Sequence, residues 1–219
     1  HIMFVACAPY LIASMARAEG VALGRTGAIT IGMVAGVALA MKPYYLAIPA
    51  AVELYLLLRR GWRPTFADPI PWSIGLVAVA HLVSMYTIFA DYGFVVMPLA
   101  IDAYTPVGDA SWRDVLTSNV LGPTLIALVI FGLIAIVFTQ TISARVLVMF
   151  GIGAALSAIA QAKGWPYHVL PALSVAIMLA ALTVSQTVDR YLPISRGGHH
   201  LPVSVISATL MVLLYFQAA

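Results

Sequence analysis

The chain has 219 residues, 63% of them hydrophobic and only 9% charged, with a mean hydropathy of +1.02, whereas soluble proteins carry about 25% charged residues. This composition excludes an ordinary soluble domain and points to an integral membrane protein whose first partner is the lipid bilayer. The net charge of +3 is no footprint of nucleic acid, because the arginines are spread over short connections instead of forming one basic face.

Apolar segments near the length of about 20 residues needed to cross a bilayer, some of them shorter, follow one another along the chain. They run over Ile2–Ala16, Thr26–Met41, Tyr44–Leu58, Pro71–Ala90, Val120–Thr139, Ala144–Ala160, Val169–Val188 and Leu201–Phe216. These roughly eight spans predict an all-α fold, a polytopic transmembrane helical bundle forming a single domain over 1–219. A barrel is disfavoured because its strands alternate every second residue over about ten positions, and these runs are continuously apolar. The first segment has no charged region before it and is interrupted by Pro9-Tyr10, so it reads as a mature span and not as a signal peptide. Cys7 within it reads as a small packing residue. His1 directly precedes one span and Ala219 closely follows another, which reads as part of a longer membrane protein.

In the second span Gly32 and Gly36 stand four apart, and Gly151 and Gly153 fall in the sixth; both spacings let helices approach closely. Two ionisable residues, Glu53 and His81, lie well inside the apolar runs. Glu53 lies near the end of its span, where it can reach the interface or pair with an arginine such as Arg59 or Arg60. His81 lies halfway along the fourth span, either as a functional group or as a neutral imidazole bonded to a neighbouring helix. The connection from Asp91 to Ser118 is the longest and too apolar to be disordered. Its end, Asp109 followed by Trp112 and Arg113, suits a capped short helix lying along a membrane surface.

The charges are sorted by connection. Arg17, Arg25, Arg59, Arg60, Arg63, Arg145, Arg190 and Arg196, eight of the eleven basic residues, fall in one alternate set of connections. Lys42, Arg113 and Lys163 fall in the other, with Asp91, Asp102, Asp109 and Asp114. Short loops rich in basic residues stay in the cytoplasm, so the arginine side is expected to be cytoplasmic and the lysine side extracytoplasmic.

Polar chemistry is expected on the lysine side. Lys42-Pro43-Tyr44-Tyr45 and Lys163-Gly164-Trp165-Pro166-Tyr167-His168 are two turns of the same build, in which proline starts a helix just after a lysine. An ammonium beside helix N-termini and aromatic rings suits a phosphate, with Tyr44, Tyr104, Tyr167 and His168 orienting sugar or phosphate. The same residues also suit plain anchoring at the headgroup level. Asp91, Asp102 and Asp109 are candidate acceptor contacts. No spacing marks a metal site, so no cofactor is expected beyond an optional divalent cation on the long connection. Nucleophile elbow, Walker loop and Cys/His cluster are all missing.

The order Pro9-Tyr10, Arg17-Ala18-Glu19-Gly20, a Gly-rich span ending in Lys42-Pro43, then Pro49, Glu53-Leu54 and Arg59-Arg60, with the later Lys163-to-His168 run, resembles bacterial multi-span glycosyltransferases of the GT-C type. These are relatives of the protein mannosyltransferases and the lipid A aminoarabinose transferases. The resemblance implies a polyprenyl-phosphate-linked sugar as donor, an active site on the extracytoplasmic face of the bacterial inner membrane, and inverting transfer that is metal-independent or divalent-assisted. It also implies a general-base carboxylate in a first outer loop ahead of the matched residues, so the chain reads as the C-terminal portion of a transferase without its catalytic base. Glu-His often precedes the matched first span, and His1 reads either as the second residue of that pair or as a cloning remnant. The competing readings are a transporter or flippase for a lipid-linked substrate, and a non-catalytic membrane subunit packed against a partner. No internal repeat or matched pair of broken helices marks a transporter.

Overall fold

A computed structural model describes residues 6–104, 112–161 and 166–191. Every regular element among them is helical. They are α1 (Ala8–Ala18), α2 (Arg25–Ala40), α3 (Ala47–Arg60), α4 (Trp62–Phe66), α5 (Pro69–Thr87), α6 (Met97–Tyr104), α7 (Trp112–Leu116), α8 (Leu121–Ile134), α9 (Ile142–Ala160) and α10 (Pro166–Tyr191). A 3-10 turn covers Pro43–Leu46, and π-helical turns cover Tyr92–Val96 and Ala135–Thr139.

Four helical stretches among the described residues are long and apolar enough to cross a membrane: Pro69–Thr87, Leu121–Phe138, Ile142–Ala160 and Tyr167–Thr187. The second and third predicted spans form α2 of 16 residues and α3 of 14. At 1.5 Å per residue these are about 24 and 21 Å long, shorter than the hydrocarbon core of about 30 Å. The eighth predicted span, Leu201–Phe216, lies outside the described residues.

The predicted long connection after Asp91 is largely helical where it is described, as the Tyr92–Val96 turn, α6 and α7. Its apolar residues from Phe94 to Ile101 belong to a helical stretch that follows a turn at Ile88 and Phe89, and Gly93 packs back on α5, where a Cβ would stand 2.5 Å from the Met85 carbonyl oxygen. α7 occupies the position of the expected short helix, while its expected cap, Asp109, lies outside the described residues.

The helix ends follow local chemistry. Asp68 caps α5 by accepting from the Ile70 N–H at 3.1 Å, and Pro69 follows at a position where no backbone donor is needed. α3 stops at Gly61, whose φ of +84° suits glycine. Thr141 caps α9 through the Ala144 N–H at 3.3 Å.

Small residues set the packing. A Cβ on Gly32 would stand 2.7 Å from the Ile70 carbonyl oxygen, and one on Gly36 would stand 2.8 Å from the Val77 Cβ, so the predicted close-approach face of α2 meets α5. Gly153 brings α9 against the start of α3, where a Cβ would stand 2.5 Å from the Ile48 Cα. Gly151 faces Leu128 of α8 and Val175 of α10. α9 is therefore the central helix: 56% of its apolar window is buried, against 17% for α5. Around it Tyr10, Val52, Leu56, Phe150, Val175 and Leu179 form the core. α5 leaves Leu76, Val79, Leu82 and Val83 exposed, a surface suited to hydrocarbon.

Candidate functional site

Lys42 is the residue of the predicted lysine face that the structure defines best. Its backbone is extended (φ −137°, ψ 96°) between the end of α2 and the 3-10 turn begun by Pro43. This turn sends the side chain to the first turn of α10: the Lys42 Nζ lies 4.8 Å from the Tyr167 ring centroid and 5.9 Å from that of Tyr45. Both distances fall within cation–π range. The Tyr167 ring packs edge-on against His168 at 4.2 Å between centroids, and His168 is itself buried. Two of the predicted elements, the Lys42 turn and the Tyr167-His168 pair, are thus brought together from positions more than a hundred residues apart in sequence.

Partial burial pushes the Lys42 ammonium below its ordinary pKa of 10.5. No carboxylate among the described residues forms an ion pair with it. A partly dehydrated cation whose partners among the described residues are ring faces is poised to accept an anion, because the anion would restore the electrostatic stabilisation that burial removed.

The other predicted residues are placed differently. Tyr44 is 52% exposed, and Tyr45 is its neighbour that stacks with Lys42. Asp91 and Asp102 are exposed and form no ion pair with Lys42. Tyr104 ends α6, and its side chain is not among those described. Lys163 and Asp109 lie outside the described residues. Among the described residues there is no cluster of three or more His, Cys, Asp or Glu that could hold a metal ion. His81 is exposed, and its carbonyl accepts from the Ser84 hydroxyl at 2.7 Å.

The most elaborate polar site lies at the arginine-bearing helix ends. Arg17, on the last turn of α1, is 1% exposed. Its two terminal nitrogens donate to the two carboxylate oxygens of Glu53 at 2.7 and 2.8 Å, and its Nε donates to Asp68 at 2.6 Å. Tyr10 donates to Glu53 at 3.1 Å, and Arg60 donates to Asp68 at 3.1 Å. Glu53 thus finds its arginine on α1, while Arg59 donates to the Ala18 carbonyl at 2.8 Å.

Two guanidinium groups face two carboxylates, so the cluster is neutral and its strongest donors are occupied. Such a saturated cluster locks α1, α3 and the start of α5 together. The sequence does hold a signal for it: Tyr10 and Arg17 stand seven apart, on one face of a helix. Placing the end of the first span at Ala16 puts Arg17 in a connection and hides that pairing.

No protein-family model matches the chain, no curated protein is significantly similar to it, and no solved structure matches it.

Proposed function

We propose that the chain is a multi-pass protein of the bacterial inner membrane that binds the phosphate of a polyprenyl-phosphate-linked sugar at the end of the bundle holding Lys42. In this reading roughly eight spans cross the membrane, the arginine-bearing connections face the cytoplasm, and the Lys42 turn faces the cell envelope. The observation that carries the proposal is the Lys42 ammonium held 4.8 Å from the Tyr167 ring with no carboxylate partner among the described residues. Lys163, three residues ahead of α10 in sequence, would add a second positive charge. As a glycosidic bond to phosphate breaks, the leaving phosphate gains negative charge, and fixed cations there stabilise the transition state more than the ground state.

The transfer chemistry itself follows the resemblance to GT-C glycosyltransferases, with the general base supplied from outside the matched residues. Tyr44, Tyr104, Tyr167 and His168 would orient sugar or phosphate, and Asp91, Asp102 and Asp109 would serve acceptor contacts. The test is transfer from a polyprenyl-phosphate sugar in membranes carrying these residues together with the segment that supplies the general base. Replacing Lys42 and Lys163 together by alanine is expected to abolish transfer while leaving the protein folded. Unchanged transfer overturns the reading.

A further inference from the structure

A second binding site is suggested at the opposite, arginine-bearing end. A cavity of about 650 Å³ opens between the first turns of α2 and α5, lined by Leu23, Arg25, Ile29, Trp72, Ser73 and Leu76 among others. Its volume falls within the range of roughly 300–1,000 Å³ common for small-ligand sites.

The lining is graded along the helix axes. Arg25 opens α2, and Ile29 follows one turn deeper on the same face. On α5, Pro69, Trp72 and Leu76 occupy one face over eight residues, about 10 Å of helix. One cation therefore stands at the mouth, and apolar side chains extend from it toward the middle of α5. The Trp72 indole N–H donates to the Phe66 carbonyl at 2.7 Å, which fixes the ring at the wall. Trp72 and Leu76 are nonetheless 60% and 68% exposed.

Charge determines the ligand class. Arg17 and Arg60 are engaged by carboxylates and Arg59 by a backbone carbonyl. Arg25 is exposed and pairs with no carboxylate among the described residues. Among the described residues no acidic side chain lines the cavity, so a zwitterionic headgroup would bring an ammonium with no described carboxylate there to receive it. We propose that the groove between α2 and α5 binds an anionic phospholipid, its phosphate on Arg25 and an acyl chain against Ile29, Trp72 and Leu76. This requires only that α5 crosses the bilayer, and it is independent of the sugar-lipid reading at Lys42.

The test places the full chain, with Trp62, Trp112 and Trp165 replaced by Phe, in phosphatidylcholine vesicles. A minor, equal fraction of either phosphatidylglycerol or phosphatidylcholine is brominated on its acyl chains, and quenching of Trp72 is read. Brominated phosphatidylglycerol is expected to show an apparent affinity about fivefold higher, the effect of one basic residue at a membrane surface. Arg25→Gln should remove that preference and Arg25→Lys should keep it. Ile29→Phe, which narrows the groove and leaves the charge in place, should weaken quenching by the anionic lipid.

Equal quenching by the two lipids, or a preference that survives Arg25→Gln, overturns the proposal. So does loss of the preference on adding water-soluble glycerol phosphate, which would assign the site to a free phosphate. Shielding of Trp72 from both lipids in a dimeric species would assign the groove to a second copy of the chain, and would overturn the proposal as well.

Discussion

Arg17 and Glu53, 36 residues apart, form a bidentate ion pair with N–O distances of 2.7 and 2.8 Å in which the guanidinium is 1% exposed. The pair joins the last turn of α1 to the middle of α3, and Asp68 extends it to the cap of α5. Three helices are therefore fixed at one end by a charge cluster that is costly to open.

Glu53→Ala leaves the buried Arg17 with Asp68 alone. Removing one partner of a buried pair costs about 3–5 kcal/mol, and because Asp68 remains the lower part of that range is expected, as a reduced unfolding midpoint in detergent micelles. The double variant Arg17→Met, Glu53→Leu removes both charges and should recover much of the loss, since apolar replacement of a buried pair is often near neutral. A double variant no more stable than Glu53→Ala would show that the pair is not acting through its buried charge.

Gly153→Ala and Gly75→Ala should have opposite signs. At Gly153 the added Cβ would meet the Ile48 Cα at 2.5 Å and the Ala47 carbonyl oxygen at 2.6 Å, both backbone atoms that cannot rotate aside. Separating α9 from α3 is expected to cost about 1–3 kcal/mol. At Gly75 a Cβ would meet nothing within 4 Å, and alanine in a helix interior should gain about 0.5–1 kcal/mol. Thermal unfolding of the two variants side by side checks both signs.

The all-helical architecture was legible because long apolar runs have few alternatives to helix. The Gly32–Gly36 spacing likewise gave the face that α2 turns to α5. The segment after Asp91 was not legible as helix, since its aspartates and aromatics look like a connection until Gly93 is seen packed against Met85 and Tyr86. Within the candidate site, the pairing of the Lys42 turn with the start of α10 followed from charge sorting. The choice of Tyr45 as the stacking ring did not, because adjacent tyrosines in a turn are separated only by backbone geometry. Arg17 was obscured for a related reason: a guanidinium at the end of an apolar run looks solvent-exposed unless its carboxylate partners on other helices are known.

Lys42 gives a pH signature. Burial disfavours its ammonium, so its pKa in the folded protein lies below 10.5. The folded state binds fewer protons than the unfolded state between the lowered value and 10.5, so this residue's contribution to stability rises with pH through that window. Phosphate affinity should run the opposite way, falling as the ammonium deprotonates, with a midpoint below 10.5. Lys42→Arg should retain affinity through that range, because guanidinium stays protonated. Titrating lipid-phosphate binding against pH in the two proteins checks the sign.

Tyr167 separates ring support from hydroxyl chemistry. Tyr167→Phe keeps a ring face beneath the Lys42 ammonium, 4.8 Å from the centroid, and should leave affinity for lipid phosphate nearly unchanged. Tyr167→Leu removes that face and should weaken binding about two- to fivefold, corresponding to a cation–π contribution of about 0.5–1 kcal/mol. Equal losses in both variants would mean that the hydroxyl, and not the ring, serves the ligand.

The most direct measurement is equilibrium binding of a polyprenyl phosphate to the full chain in nanodiscs, comparing the native protein with Lys42→Ala and Lys42→Arg at neutral pH. A phosphate held by Lys42 predicts saturable binding that falls at least about tenfold in the alanine variant, since a charge-assisted hydrogen bond contributes about 1.5–3 kcal/mol, and that is largely retained with arginine. Equal affinity in the native protein and the alanine variant, with both folded, would contradict the assignment of Lys42 as the phosphate-binding cation.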